Sequence, residues 1–171
     1  WTVQFYVRPE SGIGDCEVLN VNQLAGVNLK TNDDGYEVRL VYPEIRVNNG
    51  LRDPMGVIEN TGIIIPADKF SHIVFSYDGA STYTVRVITP DTDNIEFVEG
   101  KRKMTVTGAD NVLLDWPYKT DYWYTDGQGG YFRFGNFRKL SKIFKGNIDE
   151  IRIWSKVLTD AEIIATHDRL L

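Results

Sequence analysis

The densest set of chemically competent side chains lies in DWPYKTDYWYTDGQGGYF, from Asp115 to Phe132. Five aromatics (Trp116, Tyr118, Tyr122, Trp123 and Tyr124) and three aspartates (Asp115, Asp121 and Asp126) are followed by Gln128 among Gly127, Gly129 and Gly130. Aromatic faces edged by short acids and an amide suit a ligand with flat C–H patches rimmed by hydroxyls, which is the surface of a sugar ring. The glycines let backbone approach such a ligand closely and let the chain turn back into YFRF. Trp116 and Trp123 are the preferred stacking faces, with Asp121 and Asp126 as their polar partners. In an extended DYWYTD, Tyr122 and Tyr124 point one way and Trp123 the other, so part of the set is expected to pack against the body of the protein. The segment follows neither a two-residue nor a helical period over its length, and reads as a long loop.

A second candidate chemistry is metal binding at Asp149. In NIDEIRIW a two-residue period puts this carboxylate on the face of Ile151 and Ile153. If those isoleucines look inward, the acid is buried with them and needs a partner. Calcium would accept it together with backbone carbonyls and a further carboxylate at about 2.3–2.6 Å; backbone amides or an arginine would serve as well. Asp33 and Asp34 in NDDG read first as turn formers, with calcium as the alternative. His72 and His167 read as packing residues. Cys16 is the only cysteine, which excludes a disulfide framework and a cysteine zinc site.

The elements that must position these residues are strands. WTVQFYV sets Trp1, Val3, Phe5 and Val7 on one face; YEVRLVY does the same with Tyr36, Val38, Leu40 and Tyr42. HIVFSY and YTVRVI repeat the pattern with Ile73, Phe75, Tyr77 and Tyr83, Val85, Val87. SGIGD, NDDG, NNG, YDGAS and PDTDN punctuate them with turn chemistry. Many short alternating strands predict an all-β fold, a two-sheet antiparallel β-sandwich of jelly-roll type. TDAEIIATHDRLL breaks the pattern: Thr159 and Glu162 stand at capping-box spacing, and Ile163, Ile164, His167, Leu170 and Leu171 fall on one helical face. A short C-terminal helix packed on the sandwich is expected.

The 171 residues suffice for one core, so residues 1–171 read as a single domain. The chain begins at Trp1 already in a strand pattern, which suggests a domain cut from a longer protein. A net charge of −5, with only short basic clusters at Lys101–Arg102–Lys103 and around Arg138, counts against a nucleic-acid partner. No apolar run approaches the length of a membrane span, so no membrane insertion is expected.

FKGNIDEIRIWSKVLTDAEI, from Phe144 to Ile163, resembles the closing signature of concanavalin A-like, laminin G-like jelly-roll domains: an aromatic residue and Gly146, the strand Ile-Asp-Glu-Ile-Arg-Ile-Trp, and a Leu-Thr-Asp-Ala-Glu-Ile helix start. WTVQFYVRPES, FSHIVFSYDG and YFRFGN resemble the family's first strand, its central strand and turn, and the strand before the signature, in that order. The sequence departs from the family pattern after Tyr83, where VRVITPDTDNIEFVEGKRK stands in place of the family's short Asn-Gly hairpin, so the mid-domain hairpin is atypical and the resemblance does not fix the alignment from about Pro90 to Leu113. The resemblance implies a sandwich whose relatives bind glycans or protein partners, often with calcium held by an aspartate on the closing strand, here Asp149.

Some relatives on this fold hydrolyse or cleave polysaccharides, but the Glu-x-Asp-x-x-Glu triplet that sets two carboxylates about 5 Å apart for a retaining glycosidase is absent from the sequence. The expectation is therefore a non-catalytic carbohydrate-binding module of a secreted or cell-surface, bacterial protein. Its ligand-binding residues are Trp116, Tyr118, Asp121, Tyr122, Trp123, Tyr124, Asp126 and Gln128, and calcium, where bound, is structural through Asp149. Two alternatives stand beside it: a protein-interaction or adhesion module using the same loop as an aromatic hot spot, and a polysaccharide lyase or glycoside hydrolase.

Overall fold

The computed structural model describes residues 1–21, 25–48, 51–90, 92, 94–101, 103–107, 132–135 and 143–167. Eleven strands are defined among them: β1 (Thr2–Pro9), β2 (Cys16–Val21), β3 (Ala25–Asn32), β4 (Gly35–Asn48), β5 (Leu51–Ile65), β6 (Ser71–Tyr77), β7 (Thr82–Ile88), β8 (Glu96–Lys101), β9 (Lys103–Thr107), β10 (Phe132–Phe134) and β11 (Gly146–Trp154). One helix, α1 (Asp160–His167), follows them. They form an all-β sandwich of two antiparallel sheets in a jelly-roll-like arrangement. One sheet has the order β11-β1-β6-β7-β8; the other has the order β10-β2-β3-β4-β5, with β9 added in parallel against the far end of β4. The chain lays β1 in the first sheet and β2 to β5 in the second. It returns for β6 to β8, crosses again for β9 and β10, and closes with β11 beside β1.

The alternation read from the sequence decides which faces meet. Val3, Phe5 and Val7 of β1, Val38, Leu40 and Tyr42 of β4, Ile73 and Phe75 of β6, and Tyr83, Val85 and Val87 of β7 are all buried in one core between the sheets. Aromatic contacts tie the layers together. Trp1 meets Phe132 edge-on at 5.4 Å and Phe5 meets Phe134 edge-on at 5.4 Å, so the three-residue β10 is pinned to the first sheet from across the core. The ring of Tyr42 lies so close over Gly100 of β8 that an added Cβ would fall 2.4 Å from it. The YDGAS turn is built by Asp78, whose Oδ1 accepts the amides of Ala80, Ser81 and Thr82 at 2.7, 2.8 and 3.0 Å.

Two expectations need correction. Glu150 sits at φ 50°, and the β1–β11 register slips there: Tyr6 pairs with Asp149 and Gln4 with Arg152, leaving one extra residue on β11. This bulge breaks the two-residue period. Asp149 therefore leaves the face of Ile151 and Ile153 and stands opposite Tyr6, exposed, while the isoleucines are 45 % and 56 % exposed at the sheet edge. The second correction concerns α1. The capping box forms as expected, with the Glu162 amide donating to Thr159 Oγ1 at 3.3 Å and the Thr159 amide donating to Glu162 Oε2 at 2.9 Å. Ile163 and His167 are buried, but Ile164 is exposed, and Leu170 and Leu171 lie outside the described residues.

Candidate functional site

Each sheet has an inner face in the core and an outer face, and the two outer faces differ. On the first sheet, Thr2, Gln4 and Tyr6 of β1 and His72, Val74 and Ser76 of β6 point outward, yet all are buried, because α1 and the turn before it lie across them. Thr2 Oγ1 donates to the Lys156 carbonyl at 2.8 Å and accepts the Leu158 amide at 3.1 Å, and Arg86 holds Asp160 at 2.8 Å. Val74, Ile88, Leu158 and Ile163, with Trp154 packed against them, make a second, smaller core beneath the helix.

The outer face of the second sheet carries no helix among the described residues. Its register sets two parallel rows across the strands, since directly paired residues share a face. One row is polar: Glu17 of β2, Asn28 of β3, Arg39 of β4 and Asn60 of β5. The adjacent row runs Arg133 of β10, Asn20 of β2, Gly26 of β3, Val41 of β4 and Ile58 of β5, so that it becomes apolar along its length. Glu17, Leu19, Asn20, Ala25, Asn28, Val41 and Ile58 line a depression of about 210 Å³ between the rows.

Several features make this depression suited to a hydroxyl-bearing ligand. Asn20 and Asn28 are buried, which restricts their rotamers and presents amides able to donate and accept at once. Arg39 reaches Asp15 at 3.5 Å through Nη1, while its Nε is buried with no hydrogen-bond partner. Ile58 is half exposed, an apolar floor next to the polar row. Gly26 has φ 148°, and a Cβ there would lie 2.0 Å from the Leu19 carbonyl oxygen, so the row keeps a side-chain-free notch between Asn20 and Val41. On the opposite side of β2, burial raises the Cys16 thiol to about 12, with Asp15 and Glu17 adding to the effect. The thiol is a core packing group rather than a nucleophile.

Asp115, Trp116, Tyr118, Asp121, Tyr122, Trp123, Tyr124, Asp126 and Gln128 lie outside the described residues. The strands on either side of that segment are described, and both belong to the second sheet: β9 pairs with β4 from Glu44↔Lys103 to Asn48↔Thr107, and β10 pairs with β2 from Phe132↔Val21 to Phe134↔Leu19. Asp149 is on the other sheet. It is exposed, and its Oδ1 accepts the Glu150 amide at 2.8 Å. Calcium takes six to eight oxygens, and no group of three or more His, Cys, Asp or Glu gathers to hold a metal among the described residues. Asp149 there contributes a single carboxylate, which does not by itself fit calcium.

Sequence reasoning passed over Asn20, Asn28, Arg39 and Ile58. Their only signal is the outward phase of β2, β3, β4 and β5, which any solvent-facing residue shares; the cross-strand register is what gathers them. No protein-family model matches the chain, and no curated protein matches it. No helix among the described residues is long and apolar enough to cross a membrane.

Proposed function

We propose that this domain is a non-catalytic carbohydrate-binding module of a secreted or cell-surface protein, and that it binds glycan on the outer face of the second sheet together with the aromatic segment from Asp115 to Gln128. One observation carries this reading: the sheet face with the amide-lined depression is the sheet into which both strands flanking that segment are hydrogen-bonded. A sugar ring would rest its C–H face on Val41 and Ile58, with Asn20, Asn28 and Glu17 taking its hydroxyls. Trp116 and Trp123 would supply stacking faces from the segment, and Tyr118, Tyr122, Tyr124, Asp121, Asp126 and Gln128 the remaining contacts. The resemblance of Phe144–Ile163 to laminin G-like domains agrees with a binding role. A structural calcium at Asp149 would need its remaining oxygens from groups other than the acids among the described residues.

The test is a glycan-array screen of the domain with and without chelator, repeated with Trp123→Ala. Binding that Trp123→Ala weakens at least tenfold supports the proposal, and loss of signal on chelation supports the calcium role. Silence across the array, with saturable binding to a purified protein partner, replaces it with an adhesion module. Release of reducing sugar or unsaturated product replaces it with an enzyme.

A further inference from the structure

The layer between the first sheet and α1 contains a group of rings that the glycan reading does not use. Tyr6 stacks on His72 with centroids 4.6 Å apart and planes 5° apart, and His72 stacks on His167 at 5.4 Å and 10°. The Tyr6 hydroxyl bonds to His167 Nδ1 at 2.8 Å, which ties the last turn of α1 to β1. His72 is fully buried, and neither ring nitrogen has a hydrogen-bond partner. The first turn of α1 is held by the apolar contacts of Leu158 and Ile163, whereas its last turn rests on this histidine stack and on Thr166, whose hydroxyl meets Gln4 Oε1 at 3.3 Å.

We propose that the Tyr6–His72–His167 stack is an acid-sensitive catch for the C-terminal helix: the closed state predominates, and transient opening of α1 from the first sheet becomes more frequent on mild acidification while the core between the two sheets stays folded. A protonated His72 has no anion to meet. From β1 it faces the neutral phenol of Tyr6, from β7 the apolar Ile88, from α1 His167, and from β11 the cation Arg152. The carboxylates of this layer are already engaged: Glu150 with Arg152 at 3.0 Å, Asp160 with Arg86 at 2.8 Å, and Glu162 with Lys156. Asp149 stands in the same row as His72 but one strand beyond it, on the far side of Tyr6, exposed and accepting the Glu150 amide. Closed, the helix seals an uncharged imidazole; open, the imidazole reaches water and takes a proton.

Burial, His167 and Arg152 together lower the His72 pKa from 6.5 to about 3. The closed state therefore binds fewer protons than the open one between those values, so its stability is complete above about 6.5 and falls as pH drops toward 3. The opening equilibrium rises about tenfold per pH unit in that window, or roughly 30-fold from pH 7.5 to pH 5. Glu162, held down from 4.5 to about 2 first by its bond to Lys156 and then by the Thr159 amide, gives up its own contribution only below about 4.5. The range from pH 7.5 to pH 5 thus lies above the Glu162 contribution.

Hydrogen exchange of the α1 amides, corrected for the intrinsic pH dependence of exchange, tests the catch in the whole chain. The expected result is a roughly 30-fold rise in α1 opening from pH 7.5 to pH 5, with β3 and β4 amides unchanged. His72→Phe, which keeps the stack without a titrating ring, removes the rise. Equal pH response in α1 and in β3 and β4, a flat α1 response, or a full rise retained in His72→Phe overturns the proposal. A second measurement needs no variant: the His72 ring Cε1 proton resonance of the native chain stays that of neutral imidazole down to pH 5, and a ring titrating near 6.5 in the folded chain overturns it.

Discussion

The two outer faces of this sandwich are built from the same kind of alternating strand and treated in opposite ways. On the first sheet, polar residues such as Gln4, Ser76 and His72 are sealed beneath α1, together with an apolar cluster centred on Ile163. On the second sheet, the corresponding positions form an amide-lined depression with the half-exposed Ile58 beside it. Covering a face turns its side chains into stability; leaving it open makes similar side chains available to a ligand. The same substitution should therefore have different consequences on the two faces.

The largest effect is expected from Gly26→Val at the floor of the open face. A branched side chain there meets the Leu19 carbonyl and forces the backbone from φ 148°, so a loss of about 4 kcal/mol or more is expected in urea unfolding. Ile163→Ala on the covered face follows, at about 3 kcal/mol, because it removes a fully buried side chain from the smaller core. Its counterpart on the open face, Ile58→Ala, leaves stability within about 0.5 kcal/mol and instead lowers glycan affinity. An equal stability loss at Ile58 and Ile163 would remove the distinction between the faces. Asn28→Ala sharpens it: affinity falls about tenfold in titration calorimetry, equivalent to about 1.4 kcal/mol, for a smaller change in the unfolding midpoint. Thr159→Ala, which removes the capping box of α1, is expected to cost about 1 kcal/mol with glycan binding intact.

How legible these features are in the sequence depends on how local their causes are. The strands WTVQFYV, YEVRLVY, HIVFSY and YTVRVI declare themselves because each buries one face and alternation records it. The capping box declares the start of α1 because both partners lie within four residues. The full lengths of β4 and β5 are less apparent: Pro43, Pro54, Gly56 and Gly62 interrupt the alternation, and order comes from pairing across the hairpin from Tyr36↔Ile65 to Asn48↔Leu51. The stretch from Pro90 onward is less legible: β8 completes an antiparallel hairpin with β7, and the chain then changes layers so that β9 pairs with β4 in the other sheet. Asp149 was misplaced because a one-residue bulge at Glu150 shifts the phase of everything beyond it, and a bulge leaves no mark in a hydrophobic pattern. The depression is illegible for a related reason: Glu17, Asn28, Arg39 and Asn60 are far apart in sequence and become one row only through register.

Amide chemical-shift mapping of the labelled domain against a panel of soluble polysaccharides at millimolar concentration tests the central claim most directly. The account expects saturable shifts at Asn20, Gly26, Asn28, Val41 and Ile58 and within residues 108–131, with the strands beneath α1 undisturbed. Saturable shifts confined to the α1 side of the molecule, or no shifts with any polysaccharide, would contradict it.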